Sequence, residues 1–113
     1  MISGCEKIRP GEPYECKIGS KYWLDENLSF SIDSIRDYRC PKDVICIWAG
    51  DVDLYFNIYL NLTKIDTLTG LYRRNPFETG DYIWKVLEIN PWPVSDQNVE
   101  QKDYKVKLII QKK

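Results

Sequence analysis

The sequence predicts an all-β protein, most simply an antiparallel β-sandwich of about seven strands, with a small β-barrel as the alternative. Short segments alternate apolar and polar residues, and no segment repeats its apolar residues with the 3.6-residue period of a helix. Aromatic residues make up 13% of the chain, with eight Tyr and four Trp, and side chains of this kind favour pleated sheets. At 113 residues the chain is long enough for one domain with its own core.

The first half of the chain contains three short segments and one long one. Residues 16–18 and 22–24 are predicted as strands because each is followed at once by turn residues, and residues 28–32 alternate cleanly. Residues 52–62 form the strongest predicted strand. Its apolar side chains should face the core, whereas Asp51, Asp53, Tyr55 and Tyr59 should share the opposite face. The inward set is Val52, Leu54, Phe56, Ile58, Leu60 and Leu62.

The second half continues the same pattern. Residues 64–71 are a weaker strand, and residues 73–80 are predicted as a loop from their Asn, Pro and Gly content. Residues 82–90 are apolar on both faces, which predicts a central strand covered on both sides with Trp84 buried. Prolines on either side of Trp92 end it, and residues 104–110 form the last strand.

The four cysteines indicate an oxidising compartment. The chain has no histidine, so it lacks the usual general base and the commonest zinc ligand. Cys5, Cys16, Cys40 and Cys46 do not show the two-to-four-residue spacing of a thiolate zinc site, so disulfides are the better interpretation and no metal or cofactor is expected. A net charge of −1 gives no electrostatic case for binding nucleic acid.

Cys40 and Cys46 are predicted to bond to each other. They enclose a loop that begins with Pro41, and closing a ring of about seven residues is worth ~2.4 kcal/mol of denatured-state entropy. An ion pair between Asp37 and Arg39 would hold the turn. After the ring, Trp48 is expected to cap a sheet edge, and Gly50 to permit a bend into the long strand.

The amino-terminal residues resemble the end of a bacterial lipoprotein signal, in which an aliphatic residue and two small residues precede the acylated cysteine. Residues 2–5 read Ile-Ser-Gly-Cys, which predicts acylation of Cys5. Residues 1–14 are accordingly expected to form a tether, and residues 15–113 the domain. The rival hypothesis is a Cys5–Cys16 disulfide.

Residues 37–50 resemble a motif of small secreted proteins and lipoproteins of Bacteroidota-type bacteria, Asp-x-Arg-Cys-Pro-x4-Cys-x-Trp-x-Gly. Two later segments resemble the same family: residues 88–93, Glu-Ile-Asn-Pro-Trp-Pro, and residues 103–108, Asp-Tyr-Lys-Val-Lys-Leu. The resemblance covers most of the domain and implies a cell-envelope location, as a periplasmic or outer-membrane lipoprotein, or secretion. It implies no particular activity.

One face of the long strand is a candidate ligand face. Asp51 and Asp53 are spaced as carboxylate pairs in sugar hydrolases or calcium sites are, although alternating charges on a solvated strand are far commoner. Tyr55 and Tyr59 would provide an aromatic platform for stacking a ligand, unless a second layer covers them.

Three functions compete. The first is a non-enzymatic, exported and lipid-anchored β-domain that binds a protein or a glycan or has an envelope role. The second is a small peptidase inhibitor that presents Lys42 or Val44 from the disulfide ring. The third is an enzyme that uses carboxylates alone. We expect the ring to pack against the sheet, which would leave it a structural staple.

Overall fold

The protein is a two-layer sandwich. The computed structural model describes residues 5–48, 50–95 and 98–113, and for residues 5 and 6 the backbone alone. One short 3-10 helix, Gln101–Asp103, precedes the last strand. The strands in the described part are β1 (Cys5–Lys7), β2 (Tyr14–Lys17), β3 (Lys21–Asp25), β4 (Leu28–Asp37), β5 (Val52–Leu60), β6 (Thr63–Thr69), β7 (Phe77–Thr79), β8 (Tyr82–Asn90) and β9 (Lys105–Lys112).

The strands form two sheets that do not close into a barrel, which confirms the predicted sandwich. Sheet A has the order β1-β3-β4-β5-β6, and sheet B has the order β2-β9-β8-β7. Neighbouring strands are antiparallel except β1, which pairs in parallel with β3. Short turns join β3 to β4, β5 to β6 and β7 to β8, and the longest connection between consecutive strands of sheet A is the loop between β4 and β5.

Aromatic rings join the two sheets in the core. Phe30 and Phe56 of sheet A meet Trp84 of sheet B edge-on, with ring centroids 4.9 and 5.8 Å away, and Phe77 stacks on the same indole at 5.4 Å. Such pairs add to the burial energy of the rings. Trp84 is buried, as predicted, and its indole nitrogen donates to the Thr79 hydroxyl.

Two strands lie where the sequence predicted none. β7 falls in the predicted loop of residues 73–80, and β1 falls within the predicted tether. Behind β1, Ile8 is buried and the amide of Gly11 donates to the carbonyl of Ile110. β1, Ile8 and Gly11 therefore pack on the sandwich, within the segment predicted to be a tether. A three-residue strand is too short to show a period.

The long strand β5 ends two residues earlier than predicted. Val52, Leu54, Phe56 and Ile58 point into the core as expected. Asn61 and Leu62 instead form a two-residue hairpin, both with positive φ (51° and 70°), and Leu62 is fully exposed. This is the geometry of a type I′ turn, whose twist matches the flanking strands.

A bulge changes the facing of β8 halfway along. The pairing with β9 shifts between Val86 and Glu88, so Leu87 is the extra residue. Leu87 is 39% exposed, while Ile89 returns to the core at 1%. The prediction that this strand is covered on both sides is therefore wrong, and one bulge explains its apolar appearance on both faces.

Side chains replace a missing neighbour strand along β8. β7 pairs only with residues 82–84. Beyond it, the side-chain amide of Asn75 accepts from the Val86 amide and donates to the Val86 carbonyl, both at 2.9 Å. The carbonyl of Ile89 accepts a hydrogen bond from the Arg39 guanidinium. These contacts satisfy backbone groups that an open sheet edge would otherwise expose.

Candidate functional site

The β4–β5 loop has a buried ionic base. Arg39 forms two hydrogen bonds with Asp37, at 2.8 and 2.7 Å, and these two side chains are 0% and 5% exposed. The guanidinium also donates to the carbonyls of Ile89 at 2.8 Å and Pro91 at 2.9 Å, and it lies 4.4 Å from the ring centre of Trp92. The predicted Asp37–Arg39 ion pair is confirmed, and it ties the loop to the end of β8.

The three segments of the family-like motif converge on this ion pair. Asp37 and Arg39 belong to the first segment and Trp92 to the second. Tyr104 of the third donates its hydroxyl to Asp37 Oδ2 at 3.0 Å. Burial and the neighbouring Asp37 carboxylate raise the pKa of Tyr104 to about 12, so its hydroxyl remains a donor. The motif therefore encodes a structural joint between the sheets.

The predicted disulfide between Cys40 and Cys46 is confirmed, with Cα atoms 5.9 Å apart. Such a bond fits a protein that folds outside the cytoplasm. The indole of Trp92 donates to the carbonyl of Cys40 at 2.8 Å, and the amide of Lys42 donates to the carbonyl of Pro93 at 3.0 Å. Residues 40–42 of the ring are therefore fixed to residues 92–93.

A carboxylate completes this fixation. Asp43 accepts from the amide of Ser95 at 2.9 Å and from its hydroxyl at 2.6 Å. These two hydrogen bonds lower the pKa of Asp43 below its ordinary value. The ring is held on one side by the disulfide and on the other by the segment after β8.

The far end of the loop projects into solvent. We call Val44, Ile45, Ile47 and Trp48 the apolar tip. Their exposed fractions are 43%, 102%, 99% and 77%. The expectations that the ring would pack against the sheet and that Trp48 would cap a sheet edge are both wrong. The described contacts that hold the ring to the rest of the protein come from residues 40–43, and the side chains of the apolar tip are exposed.

The candidate inhibitory residues lie in or beside a tight turn. The amide of Val44 donates to the carbonyl of Pro41 at 3.2 Å, so Lys42 and Asp43 occupy the two corners of a β-turn. A substrate-like inhibitor needs an extended backbone at its scissile residue. Lys42 is exposed but turned, and Val44 closes the turn.

Gly50 makes the return into β5, as predicted. Its φ is +72°, and a β-carbon there would lie 2.1 Å from the carbonyl oxygen of Tyr38. No other residue fits this approach. The bend places the next residue, Asp51, with its side chain inside the protein.

Asp51 and Asp53 do not form the predicted ligand pair. Asp51 is 4% exposed and accepts hydrogen bonds from the backbone amides of Val52 and Leu71, each at 2.8 Å. Burial acts to raise the pKa of Asp51, but these amides, together with Tyr72 and Arg73, outweigh it, so the pKa is lowered. Asp53 is ion-paired with Arg73 at 2.8 Å. Both carboxylates hold the loop after β6.

A groove lies beside the base of the loop, along the open edge of β8. It encloses about 300 Å³, and its most exposed apolar walls are Tyr72, Leu87 and Trp92. Trp92 belongs both to this groove and to the loop base. The groove and the apolar tip therefore adjoin the same structural joint.

The predicted aromatic platform is partly present. Tyr55 and Tyr59 are 38% and 39% exposed on the outer face of sheet A, which confirms that they are not covered. The Lys21 ammonium lies 5.5 Å from the Tyr59 ring centre and 5.2 Å from that of Trp23. Asp53, two residues before Tyr55 on β5, shares this face but is paired with Arg73, whereas Asp51 is buried.

The remaining cysteines bear on the lipoprotein hypothesis. Cys16 is buried in β2, and neither Cys40 nor Cys46 bridges to it. The side chain of Cys5, where acylation is predicted, lies outside the part of the chain that the structure describes. The choice between acylation and a Cys5–Cys16 bond therefore stays a prediction.

Among the residues that the structure describes, no three potential metal ligands cluster, and no helix is long and apolar enough to cross a membrane. No protein-family model, curated protein or solved structure shows significant similarity to the chain.

Sequence reasoning missed the apolar tip and Asn75. A signal for the tip was present: residues 44–48 are apolar throughout, yet a seven-residue ring cannot bury so many side chains against itself. Asn75 gave no comparable signal, because an Asn before a Pro is also an ordinary turn residue.

Proposed function

We propose that the protein is a non-enzymatic, exported binding domain whose apolar tip inserts into an apolar pocket of a partner protein. One observation carries this proposal: Ile45, Ile47 and Trp48 are almost wholly exposed on a loop whose base is fixed by a disulfide, an ion pair and several hydrogen bonds. Holding apolar groups in water on a rigid support gives no folding energy, but it lowers the entropy cost of binding.

The shape and area of the tip favour a concave partner. The three side chains expose on the order of 500 Å² of largely apolar surface, a size that is often functional on a monomer. A standard interface buries ~800 Å² per partner. The tip alone is therefore too small for a stable dimer of two convex loops, whereas insertion into a pocket would bury all of it and bring in the groove beside Trp92.

The charge of the loop favours a protein over a bilayer. Anionic lipid surfaces attract clusters of Lys and Arg. The ring carries one Lys42 and one Asp43, and hydrogen bonds from Ser95 keep the Asp43 carboxylate ionised by lowering its pKa. The loop has no cationic excess, and Trp is among the residues that most often dominate the binding energy of protein interfaces.

A location in the cell envelope, or secretion, is part of the proposal. The disulfide and the resemblance of residues 2–5 to a lipoprotein signal support it. The backbone of Cys5 pairs with Lys21 at the edge of sheet A, so a lipid on Cys5 would hold the domain close to the membrane. Mass spectrometry of the protein from its own host tests this. An unmodified Cys5 would contradict the anchor and leave the binding proposal standing.

The binding proposal is tested by site-specific crosslinking in the native host. A photo-reactive amino acid at position 47 should give a discrete protein adduct, and the same group at Leu62, equally exposed at the opposite end of the sandwich, should not. Trp48→Ser should weaken binding of the purified adduct partner about tenfold or more, and Leu62→Ser should leave it unchanged. Lipid adducts, no adduct, or equal labelling at both positions would overturn the proposal.

The inhibitor hypothesis predicts inhibition of a trypsin-like or elastase-like peptidase through Lys42 or Val44. Because Lys42 occupies a turn corner, we expect a panel of such peptidases to show none. Inhibition that Lys42→Ala or Val44→Ser removes would establish the alternative.

A further inference from the structure

A second surface, which shares no lining residue with the groove, has the composition of a ligand site. A shallow cavity of about 330 Å³ lies on the outer face of sheet A. Tyr55 and Asn57 of β5 line it together with their cross-strand partners in β6, Leu68 and Asp66. Asp33 of β4 completes the rim.

Asp33 lies at a bulge in β4, beside the cavity. The pairing of β4 with β5 shifts between Ile32 and Ser34, which leaves Asp33 as the extra residue opposite Tyr55. Bulges re-aim a side chain and recur next to functional sites.

The polar groups of this cavity are uncommitted. In the described ranges, no hydrogen bond or ion pair involves the side chain of Asp33, Asn57 or Tyr55, and Asp66 meets only the exposed Lys64, at 3.8 Å. Asp37 and Asp51 differ in this respect, because each is saturated by structural hydrogen bonds.

We infer that this cavity binds a neutral saccharide. A sugar ring has an apolar C–H face, which stacks on an aromatic ring such as Tyr55. It also has an edge of hydroxyl groups, each both donor and acceptor, which match the carboxylates of Asp33 and Asp66 and the amide of Asn57. An apolar wall with a few convergent polar groups is the usual composition of a small-molecule site.

The charge balance favours a neutral ligand over a cation. Lys64 is ion-paired with Asp66. Lys21 pairs with Ser31 across β3 and β4, and Ser31 pairs with Asn57 across β4 and β5, so Lys21 lies in line with Asn57 across the sheet. The two carboxylates are thus offset by two ammonium groups, which weakens attraction for a Lys-rich or Arg-rich peptide.

The same face supports an elongated ligand. Tyr59 lies four residues beyond Tyr55 on β5, about 13 Å along the strand. Trp23 projects from β3 onto this end of the face, with Lys21 between the two rings. The aromatic rings therefore form a track along which an oligosaccharide could extend from the cavity.

The inference is tested by NMR titration of the ¹⁵N-labelled protein with maltohexaose, cellohexaose, xylohexaose and chitohexaose. At least one should shift the amide signals of Asn57, Asp66 and Leu68, and Tyr55→Ala should weaken that binding about tenfold or more. Leu62→Ala, at a fully exposed residue outside both the cavity and the groove, is the control and should bind normally.

Several results would overturn the inference. These are the absence of shifts with all four sugars, shifts confined to the groove beside Trp92, or an unchanged affinity in the Tyr55→Ala variant. Binding of a Lys-rich peptide at these residues in place of a sugar would also overturn it. Because the apolar tip plays no part in this experiment, its outcome is independent of the proposed protein-binding function.

Discussion

The base and the tip of the disulfide loop are built on opposite principles, although only a few residues separate them. At the base, the side chains of Arg39 and Asp37 are 0% and 5% exposed, and hydrogen bonds satisfy both. At the tip, Ile45 and Ile47 are 102% and 99% exposed. Charge is buried and apolar surface is displayed, the reverse of the usual distribution. The difference separates the part of the loop that folds from the part that is available for contact.

The largest effect is expected at the base. Arg39→Met removes the cation but keeps the aliphatic bulk, which leaves Asp37 buried without its partner and two carbonyls without a donor. Breaking a buried pair from one side typically costs ~3–5 kcal/mol. Urea unfolding should show a loss of this size. Arg36→Met, at an exposed arginine near the end of β4, is the control and should change stability little. A loss below about 1 kcal/mol for Arg39→Met would show that the base is not a structural joint.

Removal of the disulfide should have the next largest effect. The Cys40→Ser/Cys46→Ser double variant should lose about 2 kcal/mol of unfolding free energy, because the bond restricts the denatured chain. The circular dichroism spectrum should keep its β-sheet form, since the sandwich core lies elsewhere. A global loss of the sheet signal would mean that the loop organises the core.

Alkaline pH should weaken the joint between the loop and the sheets. The pKa of Tyr104 is raised from 10 to about 12 by burial and by Asp37, and that of Tyr82 is raised to about 12 by burial and by Asp25. The unfolded chain ionises both tyrosines near pH 10, before the folded protein does. Their stabilisation is therefore complete below pH 10 and is lost as pH rises towards 12. Unfolding measured across this range should show a shallower decline for Tyr104→Phe than for the wild type, and an identical slope would contradict the assignment.

A smaller effect is expected at the other fully exposed apolar residue. Leu62 has a positive φ of 70°, a conformation that costs a non-glycine residue roughly 1 kcal/mol. Leu62→Gly should therefore stabilise the hairpin by up to about 1 kcal/mol. Asn61→Gly should change little, because Asn tolerates this conformation. Thermal unfolding of both variants measures the difference, and destabilisation by Leu62→Gly would show that this side chain has a contact role.

Sequence periodicity predicted the strands that are long enough to repeat. The alternation from Val52 to Ile58 specified a core face. The short spacing of Cys40 and Cys46 predicted the disulfide, and that of Asp37 and Arg39 predicted the ion pair. β1 and β7 were missed because three residues show no period. The bulge at Leu87 was missed because one inserted residue makes a one-sided strand look apolar on both sides.

The candidate site was harder to predict, because its side chains depend on tertiary contacts. Asp51 and Asp53 follow the same alternation as Tyr55, but the bend at Gly50 turns Asp51 inward and Arg73 engages both carboxylates. Trp48 was expected to cap a sheet edge because it follows the ring directly. Whether the end of such a loop packs on the sheet depends on the contacts that the base of the loop makes. Here the base contacts residues 89–95, and the apolar tip is left in solvent.

The most direct test of the account is the stability of a variant in which the tip is made polar, Ile45→Ser/Ile47→Ser/Trp48→Ser. If the tip serves contact and not folding, urea unfolding should give a free energy within about 0.5 kcal/mol of the wild type, as for substitutions on an open surface. A loss of about 2 kcal/mol or more would mean that these side chains are buried in the folded protein, and it would contradict the assignment of the tip as a binding surface.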